Sequence, residues 1–208
     1  MAPEPTRTRP LVDALIAGVV LAIELLDAYG SLDGEPLNPV AGWNTAQHTD
    51  PWAFVLVVVG CGALYWRRTH PVVTLAITTV AYSAFVLRDF ELGMFLAPMV
   101  ALYTAAALGR SRALALLAGL ACTSASAWWL YTRASDIADP GVAVLAWIAL
   151  GAVILAFFVG SYVAGELVRC HRLLSSYGHV RTVPQPTRLE TDGRATREAA
   201  PRERGGDA

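Results

Sequence analysis

The chain has 208 residues, 55% of them hydrophobic, with a formal net charge of −1 and a mean hydropathy of +0.45. The apolar residues come in long unbroken blocks with the charges between them, which excludes an ordinary water-soluble globule and points to an all-α integral membrane protein. The near-neutral balance supplies no field to recruit nucleic acid, and three cysteines without metal-ligand spacing exclude a disulfide scaffold and a zinc site.

In chain order, a cytoplasmic segment (1–10) precedes six predicted spans near 11–29, 51–66, 71–87, 92–108, 113–131 and 142–164. Several are short for a hydrocarbon core about 30 Å thick, which needs about 20 helical residues. Pro71 opens the third span, where its missing N–H is harmless. Pro98 falls inside the fourth and predicts a kink. Arg7 and Arg9, Arg67 and Arg68, Arg110 and Arg112, and Arg169 and Arg172 occupy one set of connections. The other set is rich in acids: Asp33, Glu35 and Asp50, then Asp89 and Glu91, then Asp136 and Asp139. The positive-inside rule puts both termini in the cytoplasm, in a multi-pass plasma-membrane bundle. A cleaved signal peptide is disfavoured by Asp13, Glu24 and Asp27 in its apolar region.

Those three acids fall within about 60° of one face of the first helix, at 100° per residue. Carboxylates inside a span cost a few kcal/mol each and normally face protein or water. Glu24 and Asp27 can form a protonatable sensing site with Arg88 or Arg133 as charge partner. The plainer reading places Asp13 among the inner headgroups and the other two at the outer interface, where they only orient a helix end. Small residues recur every fourth position at Ala97, Ala101, Ala105 and Gly109, at Ala115, Gly119, Thr123 and Ala127, and at Ala152, Ala156, Gly160 and Ala164. Such series allow helices to approach closely, either within one bundle or between copies. Trp52, Trp66, Trp128, Trp129 and Tyr131 gather at span ends, as interfacial belts do, with Trp128 and Trp129 as a possible ligand platform. Tyr82 and Tyr103 lie deeper and read as core residues. The four histidines form no metal site, and no cofactor is expected.

The last span continues as "GELVRCHRLLSSYGHVRTVPQ". Val163, Leu167, Cys170, Leu174 and Tyr177 are spaced 4, 3, 4, 3, a heptad seam along a cytoplasmic exit helix (165–178) suited to homodimerisation. Gly178 weakens that helix and Pro184 and Pro186 end it. The remainder, 179–208, is charged and poor in large apolar residues, so a disordered tail is expected. There is no phosphate-binding loop, H-E-x-x-H or G-x-S-x-G in the chain, and no catalytic residue can be named.

The stretches "RRTHPVVTLAITTVAYSAFVL" and "MFLAPMVALYTAAALGRSRAL" resemble the membrane-embedded sensor region of actinobacterial two-component histidine kinases of the nitrate-sensor-like class. The likeness runs from about residue 11 to 177. It rests on Asp13 and Glu24 in the first span, the Arg67–Pro71 turn, the helix from Pro98 to Ala106, the basic turn Gly109–Arg112 and the exit "GELVRCHRLL". The resemblance implies an input domain that moves a dimeric kinase core and, through it, a response regulator. The phosphoacceptor segment Glu-x-His-Asp and the ATP-binding fold are not in this sequence, so kinase activity carries over to no residue of it. A truncated or split kinase is therefore expected. The alternatives are a non-enzymatic membrane partner that regulates another complex and a small transporter, the last supported only by the intramembrane acids.

Overall fold

The computed structural model describes residues 8–33, 50–88, 90, 93–109, 112–135 and 137–181, with side-chain surroundings from Leu11 to Tyr29 and from Asp50 to Ser176. The readings placed on residues 1–7, on Asp33, Glu35, Asp89, Glu91, Arg110 and Asp136, on the Tyr177 side chain and on the tail beyond 181 lie outside that set. Among the described residues the protein is all-α. It has helices α1 (Thr8–Asp33), α2 (Pro51–Ala63, continued by a 3-10 turn Leu64–Trp66), α3 (Pro71–Leu87), α4 (Leu96–Leu108), α5 (Arg112–Ala134) and α6 (Pro140–Arg181). Two of them, α5 and α6, are long and apolar enough to cross a membrane; α2 with its 3-10 turn, α3 and α4 are apolar but shorter.

Local chemistry explains the boundaries. Asp50 caps α2, accepting from the Trp52 amide at 2.9 Å and the Ala53 amide at 3.3 Å, with Pro51 in the first turn. Asp139 does the same for α6, accepting from the Gly141 amide at 2.8 Å just after Pro140. A carboxylate at these positions satisfies amides that have no partner within the helix. Gly109 closes α4 in the left-handed conformation (φ 63°), donating its N–H to the carbonyls of Ala105 and Ala106.

Three expectations need correction. The fourth helix begins at Leu96, not near 92, because Met94 is left-handed (φ 65°) and cannot continue a right-handed helix. Pro98 consequently stands in the first turn of α4, where no intrahelical hydrogen bond is lost, so it produces no kink of the kind expected there. The exit helix also runs on through Gly178 to Arg181.

The chain divides into two units, Met1–Arg169 and Cys170–Ala208. The first contains α1–α5 and the apolar part of α6. Its core centres on Tyr82, whose hydroxyl and the Ser126 hydroxyl lie 2.6 Å apart and whose ring meets Phe95 and Phe158, each with centroids 5.5 Å away. Val57, Leu64, Leu75, Leu102 and Leu130 surround that centre. Tyr82 is thus a core residue as expected, whereas Tyr103 is more than a third exposed. In the second unit the described residues are the end of α6, and His171 to Ser176 are all exposed.

Candidate functional site

The acids of α1 are used at two separate points. Asp13 is buried, and its Oδ1 accepts from Arg67 Nη2 at 2.7 Å, Arg67 Nε at 3.0 Å and Arg68 Nε at 2.8 Å. Arg67 is buried with it, while Arg68 is about half exposed. The tight turn after Trp66, in which the Thr69 and His70 amides both donate to the Trp66 carbonyl, presents the two arginines together. A buried carboxylate with two guanidiniums is held by charge-assisted hydrogen bonds, and losing either side leaves an uncompensated buried charge. Asp13 therefore ties α1 to the α2–α3 turn and does not stand free at a surface.

Glu24, eleven residues on, is also buried. Its Oε1 accepts from the Leu96 amide at 2.8 Å, so a side chain of α1 caps the first turn of α4. The capped end has a particular construction. Left-handed Met94 turns the chain sharply into α4, and its buried side chain rests where Gly60 of α2 has no Cβ; a Cβ there would collide with the Met94 methyl. Neither Arg88 nor Arg133 forms an ion pair with Glu24. Arg88 reaches Asp50 at 3.9 Å and lies over the Trp52 ring at 5.6 Å. Arg133 is fully buried, with its guanidinium 5.5 Å from the Trp129 ring centre. Asp27 is exposed. The Glu24 carboxylate instead sits on a helix N-terminus, where it meets the positive end of the α4 dipole.

A third point lies where α6 turns from apolar to charged. A Cβ on Gly165 would stand 2.6 Å from the Tyr103 carbonyl oxygen and 2.7 Å from the Ala106 Cβ, so the α4 and α6 backbones touch there and only glycine fits. One residue later, Glu166 accepts from Arg112 at the start of α5 at 3.1 Å and from Arg169 at 3.2 Å. The Arg169 side chain in turn covers Gly109, where a Cβ would come within 2.5 Å of its Nε. Gly109, Arg112, Gly165, Glu166 and Arg169 form a clasp that fixes α6 against the α4–α5 turn. Spacing alone does not reveal it, because Arg112 and Glu166 are 54 residues apart. The one local signal is a glycine directly at the border between apolar and charged sequence.

The seam residues Val163, Leu167, Cys170 and Leu174 are all exposed. Of the span-end aromatics, Trp52, Trp66, Trp128 and Tyr131 are exposed, and Trp129 is buried beneath Arg133. Trp128 and Trp129 therefore point to different surroundings and do not make a shared platform.

Residues 5–172 match a family defined as a domain of unknown function, DUF7134. The match covers well over half of the chain, which therefore belongs to that family. Searches of curated proteins and of solved structures return no match.

Proposed function

We propose that this member of the family is the membrane-embedded input region of a two-component signalling system, with six spans, both termini in the cytoplasm, and α6 as its output helix. The observation that carries the membrane part is the surface of α6. Its apolar stretch is long enough to cross a membrane, yet only 11% of it is buried, leaving Leu145, Ile148, Leu155 and Val159 exposed. In water each such side chain forfeits about 1.5–3 kcal/mol of burial; in hydrocarbon it forfeits nothing.

The same surroundings give the short α4 a meaning. Thirteen residues make a helix of about 20 Å, less than the hydrocarbon thickness, so its N-terminus would lie below the surface. Non-helical backbone at that depth must be satisfied by protein, and Glu24 supplies the acceptor. The two buried acids are each bonded to protein partners, which favours an input region over a transporter.

Signal output is read through the clasp. A movement of α4 or α5 reaches Gly165, Glu166 and Arg169, and from there the charged continuation of α6. The kinase core lies outside these 208 residues, in the same polypeptide or in another. Two measurements test the reading. Cys170 is exposed while Cys61 and Cys122 are buried, so a membrane-impermeant maleimide should label this protein once, and only in inside-out vesicles. Labelling from the outer face would overturn the orientation. Sequencing the flanking DNA should find Glu-x-His-Asp and ATP-binding motifs; unrelated sequence on both sides would overturn the kinase assignment and favour a partner protein.

A further inference from the structure

α4, α5 and α6 enclose a groove of about 430 Å³, within the size range of small-molecule sites. Leu102 forms its floor, Leu116 and Leu120 of α5 one wall, and Leu155 and Val159 of α6 the other. Its polar atoms are few. The Thr123 hydroxyl is already used, donating to the Gly119 carbonyl at 2.8 Å, whereas the Tyr162 hydroxyl makes no hydrogen bond with the described residues. Such a shaft suits a long apolar chain and rejects a polar solute, whose groups would go unpaired.

The charge at one end identifies the rest of the occupant. Stepping back along the groove face of α5 by threes and fours leads from Gly119 to Ala115 and Arg112. The groove face of α6 leads from Leu155 through Tyr162 to Glu166 and Arg169. The mouth at the Tyr162 end therefore carries two arginines against one glutamate. The Arg112 side chain is 56% exposed, and it gives a single N–H to Glu166 out of the five a guanidinium carries. Donors remain for an anion. We propose that this groove holds one acyl chain of an anionic phospholipid, with the phosphate at Arg112 and the chain running between α5 and α6 towards Leu155. This deepens the input-region reading and rests on its membrane placement: an occupant that wedges α5 from α6 acts directly on the clasp below it.

The test uses the full chain in phosphatidylcholine vesicles containing phosphatidylglycerol with a photoreactive acyl chain, the crosslinked residues being located by mass spectrometry. Labelling should concentrate on the groove walls and fall several-fold in Gly119→Leu and in Val159→Phe, which fill the groove from opposite helices. The first introduces a Cβ only 3.7 Å from Leu102 Cδ2, an ordinary contact, and improves helix propensity, so the fold should tolerate it. Protection of the Cys61 and Cys122 thiols reports that each variant is folded. Arg112→Gln should reduce labelling by the phosphatidylglycerol probe towards that of a phosphatidylcholine probe of the same chain. Labelling spread evenly over exposed α6 positions such as Leu145 and Ile148, and unchanged by either filling variant, would mean annular lipid only and overturn the site. Equal labelling by both probes in the unmodified protein would overturn the anionic headgroup. Neither result touches the maleimide orientation or the flanking-gene test, so failure of the groove and failure of the input-region reading remain distinct.

Discussion

Helices α4 and α6 carry the same sequence device and use it in opposite ways. Ala97, Ala101 and Ala105 of α4 are all buried, with Ala97 fully so, and Gly109 ends the series under Arg169. Ala152, Ala156, Gly160 and Ala164 of α6 are all exposed, and nothing lies within 4 Å of a Cβ built on Gly160. α6 instead packs inward through Ile154, Phe158 and Gly165, on the opposite side of the helix. A small residue every fourth position records a capacity for close approach; neighbours decide whether it is used. For α4 the neighbours are fixed at both ends, by Glu24 at the first turn and Gly165 near the last.

The contrast breaks most severely at the crossing point. Gly165→Val places a methyl-bearing Cβ against the Tyr103 carbonyl and should cost about 3 kcal/mol, the upper end of overpacking, read as a drop in melting temperature by exposure of the Cys61 and Cys122 thiols. Ala101→Leu, inside the buried series, should cost about 2 kcal/mol by the same mechanism. If both melt like the parent protein, α4 is not the packed helix described above.

At the other end of α4, Glu24→Ala should cost about 2 kcal/mol, the scale of a buried hydrogen bond to a charged group. Glu24→Gln keeps an acceptor oxygen for the Leu96 amide and should cost about half as much, in line with a neutral hydrogen bond. Equal losses would mean that the charge, and not the cap, is what α4 needs. A smaller effect is expected at the rim of the clasp. Arg112→Glu sets two carboxylates together, and combining it with Glu166→Arg should restore the pair. Because Arg112 is largely exposed, stability should change by no more than about 1 kcal/mol, while any output carried by α6 should be lost in the single variant and recovered in the double one.

The helices themselves were readable from the chain because apolar runs, Pro51, Pro71 and the cap Asp50 are local signals. Five of the six expected spans start within about three residues of the observed helices, the usual uncertainty of an end. What was not readable depends on pairs distant in sequence. Asp13 meets Arg67 across 54 residues and Glu24 meets Leu96 across 72, so the 100° spacing that groups the acids names neither partner. The late start of α4 follows from the left-handed Met94 and the space left by Gly60, a tertiary fit with no periodic trace. Gly165 was visible as a letter; its meaning required the Tyr103 carbonyl beside it.

The smallest effect on folding should be the most informative about the exposed series. Ala156→Leu adds three carbons to an exposed position, and its stability should stay within about 0.5 kcal/mol of the parent. Cys170 follows Ala156 by two heptads, on the same stripe as Val163 and Leu174 in the heptad register. If copies of the protein pair through this stripe, oxidation of parent membranes should give a Cys170 disulfide dimer. Ala156→Leu should then weaken that crosslink by holding the helices apart, with no loss of melting temperature. An unchanged crosslink would assign Ala152, Ala156 and Gly160 to lipid and confine pairing to Leu167, Cys170 and Leu174. The absence of any crosslink would assign the whole exposed stripe of α6 to lipid, with the buried side through Ile154, Phe158 and Gly165 as the side by which α6 is held.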